Sequence, residues 1–179
     1  MKKYIALLRG INISGKNKIS MSELKMGFAK LGFPGAATYL NSGNVVFLSA
    51  IDDRNVLSNK IELFIKDSFD LDIPVLVVSQ DDLKDILNNA PCGWGDDNKE
   101  IYDNLIFMMP SLSYEEFCNE IGDPKGEYEK VHHYKNTIFW SFSRKDYRKT
   151  NWWSKTANSK VSDKITIRTA NTVRKIAGM

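Results

Sequence analysis

The chain has 179 residues, of which 42% are hydrophobic and 26% charged, a composition typical of a folded globular protein and not of a disordered one. The apolar run at residues 4–8 follows a basic amino terminus but is too short for a signal peptide or a membrane span. We therefore expect a cytoplasmic protein that does not associate with membranes.

Hydrophobic periodicity predicts the same order of elements twice along the chain. The first set is a strand at 3–9, a helix at 21–31, strands at 37–41 and 44–49, a helix at 53–69, a strand at 73–79 and a helix at 80–89. The second set is a strand at 103–109, a helix at 113–121, strands at 127–133 and 137–142, a helical stretch within 145–158, a strand at 163–168 and a helix at 170–177.

The repeated order predicts an α+β fold built from two duplicated ferredoxin-like halves, each a βαββαβ unit plus a helix. Val75 and Leu83 match Ile165 and Val173 at a constant offset of 90 residues, which supports a duplication. We place the halves at 1–93 and 100–179, joined by a linker at 94–99 that is rich in Gly, Asp and Asn. Several strands are apolar on both faces, so we expect the halves to pack around a common core.

Two polar motifs interrupt apolar strands of the first half. In a split βαβ arrangement the loop after the first strand and the turn between the second and third strands lie at one edge of the sheet. The loop leads to a helix start with capping-box spacing at Ser20 and Glu23, where backbone NH groups favour an anion. The predicted site for an anionic small ligand comprises Arg9, Gly10, Asn12, Gly15, Lys16, Asn17, Ser42, Gly43 and Asn44.

A purely structural interpretation of the same residues stays open. Ser42-Gly43 is a good hairpin turn, Asn12 can cap its own loop, and Arg9 can pair with an acidic neighbour.

The motifs Leu8-Arg9-Gly10-Ile11-Asn12 and Ser42-Gly43-Asn44-Val45-Val46-Phe47 resemble the signature of the bacterial domain of unknown function 1697 family. No activity is established for that family, so the resemblance implies none. A third family motif aligns with residues 166–173, with departures at Thr169 and Ala170, while Ser14 departs in the first motif. The alignment indicates a possible second binding region formed by Arg168, Thr169, Asn171 and Thr172.

Other chemistry finds little support in the sequence. Cys92 and Cys118 have no metal-ligand or disulfide spacing, and His132 and His133 are strand neighbours that point to opposite faces. We expect neither a metal nor a cofactor, and we identify no catalytic nucleophile or general base.

The carboxy-terminal part is basic, with thirteen Lys and Arg against four acids from Lys125 onward. Within it, residues 144–160 mix bases with Trp152 and Trp153, a composition used to bind single-stranded nucleic acid. Nucleic-acid binding is therefore the second hypothesis, and an enzyme acting on an anionic substrate is the third. The oligomeric state stays open.

Overall fold

Each half of the chain forms a four-stranded antiparallel sheet in the computed structural model, which describes residues 1–179 without a gap. The chain divides into two units, one comprising residues 1–84 with 176–179 and the other comprising 85–175. The fold is α+β, with six α-helices in total. None of these helices combines the length and apolarity needed to cross a bilayer.

The first unit has the strand order β2-β3-β1-β4, so the first strand is central and pairs on both sides. Its elements are β1 (Lys2–Leu8), α1 (Met21–Lys30), β2 (Ala37–Tyr39), β3 (Asn44–Ser49), α2 (Arg54–Phe69) and β4 (Val75–Ser79), after which α3 (Gln80–Asn88) carries the chain into the second unit.

The second unit has the corresponding strand order β6-β7-β5-β8. Its elements are β5 (Ile101–Met108), α4 (Tyr114–Ile121), β6 (Glu129–Tyr134), β7 (Thr137–Ser143), α5 (Trp152–Asn158), β8 (Ile165–Thr169) and α6 (Ala170–Gly178), whose last turn belongs to the first unit. The predicted helical stretch within 145–158 divides into a 3₁₀ helix at Tyr147–Lys149 and α5.

An aromatic cluster forms the centre of the first core. Tyr4 of β1 lies 5.9 Å from Phe47, whose ring is also 5.2 Å from Phe28, measured between ring centroids. These side chains are at most 2% exposed, so β1 is fixed to both α1 and β3 by burial of large apolar surface.

The segment predicted as a linker begins with a residue that is packed into the second unit. Trp94 is 3% exposed, its Nε1 donates to the Asn104 carbonyl at 3.1 Å, and its ring meets Phe139 edge-on at 4.9 Å. The chain at Trp94 is therefore held against the sheet of the second unit.

A buried carboxylate organises the irregular part of the second unit. Glu129, at the start of β6, is 3% exposed and accepts from the backbone NH of Lys125 at 3.0 Å and of Asn151 at 2.7 Å. It also accepts from the Nε1 of Trp140 at 2.9 Å and the backbone NH of Trp152 at 3.4 Å. One side chain thus satisfies four donors from three segments.

We predict that Glu129→Gln lowers the free energy of unfolding by about 2–3 kcal/mol, because the amide group turns a donor toward buried donors. Urea unfolding followed by circular dichroism measures the change. Glu115→Gln, at an exposed glutamate of α4, is the matched control and should stay within about 0.5 kcal/mol of the parent. An equally small effect at Glu129 would contradict the assignment.

The turn between β2 and β3 touches the end of β1. Gly43 has a φ of +75°, and its carbonyl accepts from the Leu8 NH at 2.8 Å. A Cβ at this position would lie 2.6 Å from the Cβ of Leu8, which the strand backbone holds in place. Glycine is therefore required here both for its conformation and for the close approach.

We predict that Gly43→Ala destabilises the protein by about 1–3 kcal/mol more than Gly15→Ala does. Gly15 has a similar φ of +78° but no atom within 4 Å of an added Cβ, so it reports the conformational cost alone. Comparing the two unfolding midpoints isolates the steric contact with Leu8. Equal losses in the two variants would show that this contact is unimportant.

Candidate functional site

The loop after β1 folds into a miniature hairpin. The Asn12 NH donates to the Asn17 carbonyl at 3.1 Å, and the Lys16 NH donates to the Ile13 carbonyl at 2.9 Å. Ser14 and Gly15, between the last two, have φ values of +50° and +78°, which is the pattern of a type I′ turn. The turn places Lys16 on an exposed tip.

The Asn12 side chain joins this loop to the β2–β3 turn. Its Nδ2 donates to the Ile19 carbonyl at 3.0 Å and the Asn41 carbonyl at 2.9 Å, and its Oδ1 accepts from the Ile19 NH at 2.9 Å. The two polar motifs are therefore in contact. Both Nδ2 hydrogens of Asn12 are used for this, so the residue acts as the loop cap of the structural interpretation.

The other two asparagines of the predicted site also bond within the protein. Asn44 is fully buried and its Nδ2 donates to the Tyr39 carbonyl and the Ser42 Oγ, both at 3.0 Å. Asn17 donates from Nδ2 to the Gly10 carbonyl at 2.9 Å. These asparagine side chains therefore stabilise the loop conformations. The cationic side chains of the loops are the remaining candidates for contact with a ligand.

The first fifty residues of the chain are rich in basic side chains. Residues 1–50 contain seven bases and one acid, so the amino-terminal part of the chain is basic as well as the part from Lys125 onward. The bases are Lys2, Lys3, Arg9, Lys16, Lys18, Lys25 and Lys30, and the acid is Glu23. Lys16 and Lys18 are exposed and belong to no ion pair, while Arg9 is half-buried at the base of the loop.

An open depression of about 550 Å³ lies between the hairpin and the start of α1. Lys18 and Asn41 line it together with residues 19–22. Ser20 caps the helix, since its Oγ accepts from the Glu23 NH at 3.4 Å. The depression thus combines a helix N-terminus with the Lys18 side chain, which is an arrangement suited to an anion.

The possible second binding region lies in the second unit, and most of its side chains form hydrogen bonds within the protein. Arg168 is 8% exposed and donates from Nη1 to Thr166 Oγ1 at 2.7 Å and the Ile167 carbonyl at 2.9 Å. Burial lowers the pKa of Arg168 to about 10. Thr169 caps α6 by accepting from the Thr172 NH at 3.4 Å, and Thr172 is buried, whereas Thr169 and Asn171 are exposed.

The basic aromatic segment at 144–160 is built mainly by packing. Trp152 is fully buried, its Nε1 donates to the Gly122 carbonyl at 2.9 Å, and its ring packs on Phe117. Trp153 is 44% exposed but has one edge-on contact with Phe142 and another with Tyr147.

Two of the basic side chains in this segment also form bonds within the protein. Lys149 pairs with Asp146 at 2.9 Å, and Lys155 Nζ donates to the Ile121 carbonyl at 2.9 Å. The mixture of aromatic and basic residues in this segment is therefore explained by packing and by ion pairs and hydrogen bonds within the protein.

His132 and His133 point to opposite faces of β6, as expected. His133 stacks on Tyr114 with centroids 3.8 Å apart, while His132 lies 6.1 Å from Phe139 on the other face. No group of three His, Cys, Asp or Glu side chains is placed to hold a metal ion. Sequence reasoning missed Glu129, which looks like an ordinary surface acid between Tyr128 and Lys130.

Comparisons with known proteins confirm the family resemblance. A model of the protein family of unknown function DUF1697 matches residues 1–139. The structure is similar to that of the conserved bacterial protein SP0830 from Streptococcus pneumoniae, with 31% sequence identity and a TM-score of 0.86, over 99% of this chain and 97% of that one. No curated protein matches the sequence. Because the family model covers more than half of the chain, the protein belongs to the DUF1697 family.

Proposed function

We propose that the protein binds a small phosphorylated or otherwise anionic ligand in the depression between the loop hairpin and the start of α1. The observation that carries this proposal is the exposed Lys18 in the lining of the depression, beside a helix N-terminus in a region of seven bases and one acid. Lys16 is exposed on the adjacent hairpin. The proposal assigns no catalysis to the site.

The site residues would have two roles, stabilising the loops and supplying positive charge. Asn12, Asn17 and Asn44 hold the backbone in place by their own hydrogen bonds. Lys16 and Lys18 supply point charges, and Arg9 adds a third positive charge at the base of the loop. Because the loops are already fixed, an anion would not have to order them on binding, which favours affinity.

We also infer that the two units descend from one duplicated ferredoxin-like unit. The supporting observation is their matching strand orders, β2-β3-β1-β4 and β6-β7-β5-β8. In sequence the copies would run from 1 to 93 and from 100 to 179. Cys92 and Cys118 are both free thiols, which fits a reducing compartment, and we place the protein in the cytoplasm.

We predict that inorganic phosphate at ten times its Kd raises stability by about 1.4 kcal/mol, or about 3–5 °C in Tm. The double variant Lys16→Met/Lys18→Met should weaken phosphate binding at least about tenfold, because hydrogen bonds to a charged group contribute about 1.5 kcal/mol or more. Calorimetric titration measures the Kd, and a phosphate-soaked crystal locates the ion.

The double variant Lys25→Met/Lys30→Met provides the control, because these exposed lysines of α1 lie away from the depression and their loss changes the net charge equally. It should bind phosphate as the parent does. If the two double variants weakened phosphate binding equally, net charge would explain the effect and the proposed site would be rejected.

We further predict no measurable binding of a single-stranded oligonucleotide at physiological salt. A protein that engages about four phosphates of a single strand would lose affinity with a logarithmic salt slope near about −3, whereas one small anion gives a much weaker dependence. Fluorescence anisotropy across a salt series tests this. Tight binding with a steep slope, weakened by Trp153→Ala, would favour the nucleic-acid hypothesis instead.

A further inference from the structure

A second cavity lies entirely within the second unit, on the sheet face opposite α4 and α5. Antiparallel pairing sets Asp103 of β5 opposite Ser141 of β7, and Ser141 opposite Lys130 of β6. Directly opposed residues share a face, so these three side chains form one row across three strands. His132 and Phe139 form the next row on the same face.

The segment before β5 forms a wall over this face. Besides the contact of Trp94 with Phe139, the Gly95 NH donates to Asp103 Oδ2 at 3.0 Å, and Arg174 Nη2 donates to the Trp94 carbonyl at 3.0 Å. The wall is thus anchored at both the sheet and α6, and a preformed space remains beneath it.

This space is a partly open cavity with a volume of about 550 Å³, within the range of about 300–1,000 Å³ typical of small-molecule sites. Its lining includes Trp94, Lys130, His132, Phe139 and Ser141, with Asp103 at one side. The lining is mostly apolar and carries a few charged groups, as in sites that orient a small ligand.

Asp103 is held in a fixed orientation. Ser141 Oγ donates to Oδ1 and the Gly95 NH donates to Oδ2. A carboxylate accepts about four hydrogen bonds, so each oxygen can still accept another. Asp103 can therefore receive a donor from the cavity without giving up its present bonds.

Lys130 carries the opposite charge at the other end of the row. Its exposed ammonium takes part in no ion pair and no hydrogen bond. Two strand spacings separate Lys130 from Asp103, or about 10 Å between their Cα atoms, and the two side chains do not pair with each other. Asp103 and Lys130 thus place opposite charges at the two ends of a row that faces one cavity, with a gap between them. The lining also includes Glu127 and Glu129, of which Glu129 is buried and already accepts four hydrogen bonds.

We propose that this cavity binds a small zwitterion of the free amino acid class. Its ammonium group donates to Asp103, its carboxylate accepts from Lys130, and its side chain lies against the apolar lining near Phe139. His132, on the adjacent row, gives the carboxylate end a second donor. The site is independent of the anion site in the first unit.

The test is a titration of the protein with the twenty free L-amino acids, followed by thermal shift and calorimetry. We expect at least one to bind, and we expect its N-acetyl derivative and its amide each to bind at least tenfold more weakly, because each lacks one charge. Lys130→Met should weaken the same amino acid at least threefold, and Asp103→Asn at least tenfold. Lys145→Met, at an exposed lysine outside the cavity, is the control and should bind normally.

Three results would overturn the proposal: no amino acid binds, a derivative lacking one charge binds as well as the parent amino acid, or Lys130→Met leaves the Kd unchanged. Because the Lys130 side chain makes no hydrogen bond, its replacement should leave the fold intact even if Asp103→Asn unfolds. The double variant Lys16→Met/Lys18→Met should retain amino acid binding, which separates this site from the anion site.

Discussion

The hydrogen bonds of the Asn12 side chain hold the loops of the first unit in one arrangement. A single amide bonds to Ile19 on its own loop and to Asn41 on the neighbouring turn. Backbone groups outside strands need such partners, because the sheet supplies none for them. The Asn12 side chain thereby fixes the residue just before the start of α1 relative to the β2–β3 turn, both of which border the depression.

In the second unit, the partner for backbone groups outside the strands is a charged side chain. Glu129 gathers NH donors from the segments around residues 125 and 151 and from the indole of Trp140. Hydrogen bonds to a carboxylate are shorter and stronger than those to a neutral amide, which suits a buried location where water cannot compete. In each unit, therefore, one polar side chain fixes the connections that lie outside the sheet.

The elements were predictable from the sequence because burial of one face imposes a regular period on apolar residues. Errors fall at strand ends, as in β5, which begins at Ile101 rather than at residue 103, since strand pairing there does not depend on burial. The roles of Asn12 and Glu129 depend on partners distant in sequence, so no local pattern reveals them. Trp152 and Trp153 are adjacent and chemically identical, yet only the first is fully buried.

The outer strand on one side of each sheet has a feature that discourages polymerisation through open edges. β2 has only three residues, too few to act as a template for another chain, whereas β6 displays Lys130 and two exposed histidines. Short strands and charged side chains are both known protections against edge-to-edge aggregation. At these two edges, therefore, the chain limits pairing with another strand without closing either sheet into a barrel.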